Sequence, residues 1–493
     1  MGSRSVALLT VFSLAAFVPG SVHAQDVQGF FLDGEEEFIP MGGNPLSLFN
    51  SDVQCESFIP GSLSRCVSFN FHEDNVFREL HADGTENLLQ RFSREVNVSL
   101  PLSESPYSPG FRLNVSSVSS MGLVNQSPSE LANYQGESKA ATLYFQMPLG
   151  PALRVGASVG RSLAAGPRSL SYESRFSFLF QNGVLVNVDV GRWNTSQTLQ
   201  IQYDDGEGVL PLDFVSQGAR ISVSAPVGAL TMVLSGHKNF LSSIPDAVDQ
   251  SDTRFCPNGN DAGLRLDILG FLSAGWKTLL TANEEATLGS GSFYSEERKY
   301  GSLNGFDLRT VTLQAAIEKK GLSGDIFESD LKWKLLRGKV DGFAEDWPFT
   351  SLFDSPIPVR ENISASGSLN VLQLHAGWLK PIRERVRFGI GASLLCMKPQ
   401  LELDSWESKY LVFGVRGYKE RFLTVDVVDA ALISTGLQVD LSPFSLDYAF
   451  TQFVPLYVGR TNVNGTSGIS GPAAGTSRSS GGQFHSVGIK YEF

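Results

Sequence analysis

The sequence predicts an all-β protein: a transmembrane antiparallel β-barrel of roughly 14–18 strands with an N-terminal hatch or plug segment. Three observations predict it. Apolar residues alternate with polar or small ones in segment after segment, which is the period of a strand and not of a helix. Short turns alternate with long polar segments, as in barrels that have one short-looped rim. Mean hydropathy is −0.03; walls facing lipid on one side and water on the other average near zero, whereas a helical membrane protein would be strongly positive.

The first element is an export signal. Arg4 precedes an apolar run over residues 6–18, followed by Pro19-Gly20 and Val22-His23-Ala24. This is the layout of a secretory signal peptide over residues 1–24, with the mature chain starting at Gln25. The run is too short to cross a bilayer as a helix, and no later stretch reaches the 18 or so consecutive apolar residues that a helix would need. An exported chain without a helical anchor is expected in the bacterial outer membrane, crossing it many times as strands.

Residues 25–65 show no clear alternation and include "FLDGEEEFIPMGGNPLSLF". Phe30, Phe31, Phe38, Leu46, Leu48 and Phe49 argue against disorder, since disordered segments are poor in aromatics. A periplasmic extension and a hatch or plug folded into the lumen are the readings left, and the hatch or plug is the leading expectation.

Residues 66–493 form the predicted barrel. Val184, Val186, Val188 and Val190 alternate with Asn187, Asp189 and Gly191; Val311, Leu313, Ala315 and Ile317 oppose Thr312, Gln314 and Glu318. Leu446, Tyr448 and Phe450 do the same against Asp447 and Ala449. Tight turns are expected at 148–151, 181–183, 225–228, 270–275, 319–324, 380–384 and 441–443, with a looser one at 101–110. Long polar outer loops are expected at 194–212, 240–260, 284–304, 341–365, 401–424 and 457–482. Eight turns and a final strand make 17 strands from about Arg94, and "CVSFNF" at 66–71 supplies an eighteenth to close the ring. Trp276 and Trp378, beside short turns, are expected in an interfacial aromatic girdle. The closing strand presents Val487, Ile489, Tyr491 and Phe493 on one face.

"GGNPLSLF" and residues 96–123, "VNVSLPLSESPYSPGFRLNVSSVSSMGL", resemble the hatch element and the early hairpin of FadL-type long-chain fatty-acid transporters. Leu46 stands where that family has Ala. The resemblance implies ligand-gated uptake of hydrophobic molecules, with Asn44 and Pro45 as the hatch element. Separately, the terminal aromatic strand resembles the signal by which outer-membrane proteins are recognised by their insertion machinery. The expected partners are therefore outer-membrane lipids, that machinery and a hydrophobic ligand such as a fatty acid. A general diffusion porin and a surface adhesin are the alternatives.

Other chemistry is sparse. The net charge of −12 offers no basic patch for phosphates, so nucleic acid is not an expected partner. Cys55 and Cys66 are expected to form a disulfide in an exported chain, and Cys256 and Cys396 are a second candidate pair. Asp204, Asp205 and Glu207 cluster in "YDDGEG" but lack the distal Glu of a calcium loop. His72, His81, His237, His375 and His485 are scattered, with no HExxH or GxSxG, so no enzyme, cofactor or metal is expected. A pore would be lined by Arg220, Arg265, Lys332, Lys334, His375 and Arg387.

Overall fold

The computed structural model describes residues 66–80, 86–101, 110–127, 130–149, 152–162, 170–203, 206–243, 253–271, 276–295, 298–350, 356–411, 414–462, 478–480 and 483–492. The expected signal peptide, the plug with Asn44 and Pro45, Cys55, Asp204, Asp205 and Phe493 lie outside them.

Nineteen strands are described: β1 Cys66–Leu80, β2 Glu86–Pro101, β3 Gly110–Ser127, β4 Glu130–Pro148, β5 Leu153–Ser162, β6 Leu170–Leu179, β7 Leu185–Tyr203, β8 Gly206–Val227, β9 Leu230–Ser243 and β10 Thr253–Phe271. They continue as β11 Trp276–Ser295, β12 Arg298–Lys320, β13 Ile326–Thr350, β14 Pro356–Arg383, β15 Val386–Leu411, β16 Gly414–Asp440, β17 Phe444–Asn462, β18 Arg478–Ser480 and β19 Gln483–Glu492. Each pairs antiparallel with its neighbours in one sheet. The sheet closes because β19 pairs with both β17 and β1, with Ile489 opposite Leu446 on one side and Phe69 on the other. Eighteen strands thus form the ring, and the three-residue β18 lies against the far end of β1. A ring leaves no unpaired edge, the condition for crossing lipid with strands.

Each predicted short turn joins two paired strands. Gly183, Gly228 and Gly324 take positive φ (81°, 63° and 81°), a conformation open to glycine without a Cβ penalty, and each lies in a short turn. In the turn before β13, the Gly321 amide donates to the Asp325 carbonyl at 2.7 Å. There a hydrogen bond from Ser323 holds the Asp325 carboxyl below its usual range.

The expectation of long polar loops is corrected at 194–212, 284–304, 341–365 and 401–424, which are mostly strand; 244–252 and 463–477, in the other two, lie outside the described residues. Residues 194–203 and 206–212 continue β7 and β8 as a paired ladder up to Tyr203 opposite Gly206. β15 and β16 likewise stay paired to Leu411 opposite Gly414. An antiparallel ladder needs only backbone donors and acceptors, so it continues where side chains no longer meet lipid. One departure from a uniform wall occurs at β5 and β6, which are short. Beyond them β4 pairs directly with β7, Asn133 opposite Gln202 through Glu137 opposite Thr198.

Candidate functional site

The two faces of the wall have opposite chemistry. On β13, Phe327 and Leu331 point outward and alternate with Glu328, Asp330, Lys332 and Lys334 pointing in; Leu331 is 47% exposed and Lys334 only 2%. On β11, Leu280 is exposed while Thr281, Asn283 and Glu285 are buried, and on β14 Leu372 and Leu374 are exposed while Gln373 is buried. A protein surrounded by water buries its leucines and exposes its lysines. This one does the reverse. The chain is a membrane-spanning β-barrel.

The apolar belt has two edges. On β12 the outward row runs Lys319, Ile317, Ala315, Leu313, Val311 and then Arg309 and Asp307. About ten residues at ~3.3 Å each, on strands tilted by about 40°, give a belt about 25 Å tall. At the short-turn edge the Lys319 ammonium lies 5.0 Å from the Trp276 ring centre and the Lys380 ammonium 5.5 Å from that of Trp378. Their stems follow lipid while their charges reach water. At the other edge Trp333 donates through Nε1 to Asn370 Oδ1 at 2.9 Å.

Beyond that second edge the polarity of the strands inverts. On β13 the outward row becomes Arg337, Lys339 and Asp341, while the inward row becomes Leu336, Gly338 and Val340. On β14 the outward row becomes Asn370, Ser368, Ser366 and Ser364 and the inward row Val371, Leu369 and Ala365. β15 and β16 change in step. Leu336, Leu369, Val371, Leu395, Ala430 and Leu432 are all buried and form one apolar cluster on the inner wall, with Met397 packed against it. Outside, Lys339 pairs with Asp341 at 3.0 Å. Burial would raise the Asp341 pKa, but the Ser364 hydroxyl and Lys339 hold the carboxyl below its usual range. Strands therefore read apolar-out at the membrane and apolar-in above it.

Within the membrane level the inner wall is a charged network in two groups. On β9 to β11, Asp261 accepts from Asn239 Nδ2 at 3.3 Å and Thr287 Oγ1 at 3.1 Å, and His237 Nε2 lies 3.1 Å away. Arg265 Nε donates to Asp267 at 2.9 Å, and Thr281 Oγ1 donates to the same carboxylate at 2.7 Å. Arg220 on β8 has Glu285, Arg265 and Asp261 as charged neighbours. The second group lies on β11 to β15. Lys277 pairs with Glu318 at 2.9 Å, Gln314 donates to Asp330 at 3.2 Å, and His375 stands between Ser393 Oγ (2.8 Å) and Glu328 (3.5 Å). The glycines Gly377 and Gly391 leave the slot that the His375 ring fills, since a Cβ at either would press on it or on its partners. Buried charge persists where it is paired and hydrogen-bonded.

Of the residues predicted to line a pore, Arg220, Arg265, Lys332, Lys334 and His375 stand on the inward rows. Arg387 continues the inward row of β15 below Gly389 but is exposed at the short-turn rim, with Nη1 3.5 Å from Gln438 Oε1. Sequence reasoning did not place their carboxylate partners Asp261, Asp267, Glu318, Glu328 and Asp330; the available signal was their alternation with outward leucines. Val487, Ile489 and Tyr491 lie on β19, where Tyr491 stacks on Phe444 with ring centres 4.7 Å apart. Cys66 opens β1, and its expected partner Cys55 lies outside the described residues. The suggested Cys256–Cys396 pair is corrected: no disulfide joins them. They sit on β10 and β15, and five strand steps of about 4.8 Å put about 24 Å of wall between them, whereas a disulfide needs Cα atoms within about 7 Å. Glu207 is the second residue of β8, opposite Gln202, and among the described residues no His, Cys, Asp and Glu group has metal-ligand geometry.

No protein-family model and no curated protein matches the chain. Solved structures similar to it include OmpT, an outer membrane protein of Vibrio cholerae, at 8% identity over 80% of this chain and 99% of that chain, TM-score 0.33. Others are a Pseudomonas aeruginosa FadL homologue (9%, 87% and 90%, 0.31) and a deletion mutant of the TodX monoaromatic hydrocarbon channel (10%, 92% and 93%, 0.31). With identities this low, the fold rests on the chain's own strand pairing.

Proposed function

We propose that the chain is a channel of the bacterial outer membrane for hydrophobic solutes, long-chain fatty acids among them. The observation that carries this reading is the apolar cluster Leu336, Leu369, Val371, Leu395, Ala430 and Leu432 on the inner wall. A water-filled pore has a polar lumen, whereas an acyl chain gains about 0.8 kcal/mol for each CH₂ it buries against such a surface. Location in the outer membrane is supported by the export signal and the closed barrel; among the described residues no helix is long and apolar enough to cross a membrane. The sequence resemblance around Asn44 and Pro45 supports residues 25–65 as the hatch that keeps the polar membrane level shut.

A diffusion porin is the second reading, favoured by the charged network of Arg220, Arg265, Asp261 and Asp267. Planar-bilayer conductance separates the two. The full mature chain should be silent and a variant lacking 25–65 should open steady channels. Equal conductance from both would favour the porin. In parallel, Leu369→Ser with Leu395→Ser should weaken binding of a fluorescent fatty acid about thirtyfold or more, from two lost apolar contacts of about 1–2 kcal/mol each. Unchanged affinity would remove the cluster from the path.

A further inference from the structure

On the outer surface of β12 and β13 two like charges face each other. Arg309 is directly opposite Arg337 in the ladder, and both lie on the outward row. Opposed partners have Cα atoms about 4.5–5.5 Å apart, and like charges so placed repel. Arg309 is held along its own strand by Asp307, Nε to Oδ1 at 3.0 Å and Nη2 to Oδ2 at 3.2 Å. Among the described residues Arg337 has no hydrogen bond or ion pair, and its side chain is exposed. Ser368, opposite Arg337 on β14, adds a hydroxyl to the same outward row. The carboxylates of the patch are Asp307, Asp341 and, one row lower, Glu284. Asp307 binds Arg309 and Asp341 binds Lys339, and Glu284 adds its charge near Arg309 without a hydrogen bond to it, so Arg337 is the guanidinium of the patch that no carboxylate among the described residues holds.

Position selects the ligand. Immediately inside this pair the outward rows are apolar, Val311 and Leu313 on β12 and Leu335 and Leu331 on β13. A molecule reaching the two arginines from the membrane brings acyl chains along those rows and its headgroup to the belt edge. We propose that Arg309 and Arg337 dock the phosphate of a membrane lipid headgroup, with Ser368 as an additional donor. Guanidinium groups match phosphate oxygens with paired N–H donors, and one anion between two arginines converts their repulsion into attraction. The inference is independent of what the lumen carries.

The test is native mass spectrometry of the delipidated full chain, counting copies that retain an added bis-phosphorylated acylated disaccharide (lipid A) against the same lipid stripped of phosphate. Retention of the phosphorylated form should exceed that of the stripped form by roughly tenfold, and Arg309→Gln with Arg337→Gln should abolish the difference. Arg337→Gln alone, which breaks no contact within the chain, covers the case in which the double variant does not fold, and should lose most of the preference. Lys398→Gln, two strands away, should retain it. Equal retention of the two lipids, or a preference unchanged in Arg337→Gln, overturns the site. Displacement by millimolar pyrophosphate as readily as by excess lipid overturns the lipid as its ligand and assigns a soluble phosphate instead.

Discussion

Leu331→Arg, in the middle of the outward apolar row of β13, is expected to cost about 2–4 kcal/mol of barrel stability and to block insertion into vesicles. The cost arises because a guanidinium at the bilayer midplane loses its hydration without a partner, and this row offers only Phe327, Ser329, Trp333 and Leu335. Urea unfolding of the folded barrel in lipid vesicles reads it. Gln314→Arg, on the inward row of β12 where the Gln314 amide donates to Asp330 at 3.2 Å, should cost clearly less because that carboxylate and lumen water can meet the charge. Equal tolerance of both substitutions would contradict the assignment of outward and inward faces.

Val340→Asp is expected to have the next largest effect, about 3 kcal/mol or more, although it lies outside the membrane level. Val340 is fully buried on the inward row above the inversion, and a carboxylate there is desolvated without a partner. Arg337→Leu, three residues earlier on the outward row, should change stability by no more than about 0.5 kcal/mol, since an exposed side chain without internal partners contributes little. The contrast tests the inversion directly. Were the apolar-out pattern of the membrane level to continue upward, odd positions would be the sensitive ones and even positions the tolerant ones. Thermal unfolding of both variants in one detergent distinguishes the two arrangements.

Much of the fold was legible because closure and alternation leave a local trace. Each of the eight turns carries its own chemistry, such as "QNG" ending in the positive-φ Gly183, and a hairpin turn is a property of a few consecutive residues. The outer extensions were not legible. Stretches such as 341–365 are rich in Gly, Ser, Pro and acids and read as loop, yet their ladder is held by a partner strand that is itself polar, and no side-chain rule reports that. The candidate site was half legible. Lys332 and Lys334 could be placed opposite Leu331 and Trp333, and beside Asp330, by parity alone, but Gln314 and Thr312 became their neighbours only through the pairing of β12 with β13, where Gln314 faces Lys332 and Thr312 faces Lys334.

What the sequence determined by itself is the alternation, the turns and their number, because period, turn chemistry and chain length are local. Tertiary structure alone decided which parity faces the lumen at each height. Leu335 and Leu336 are neighbours of the same type, and one meets lipid while the other joins the inner cluster. The physical reason is that a strand has two equivalent faces until the ring closes around a lumen and the belt edge sets where lipid gives way to water.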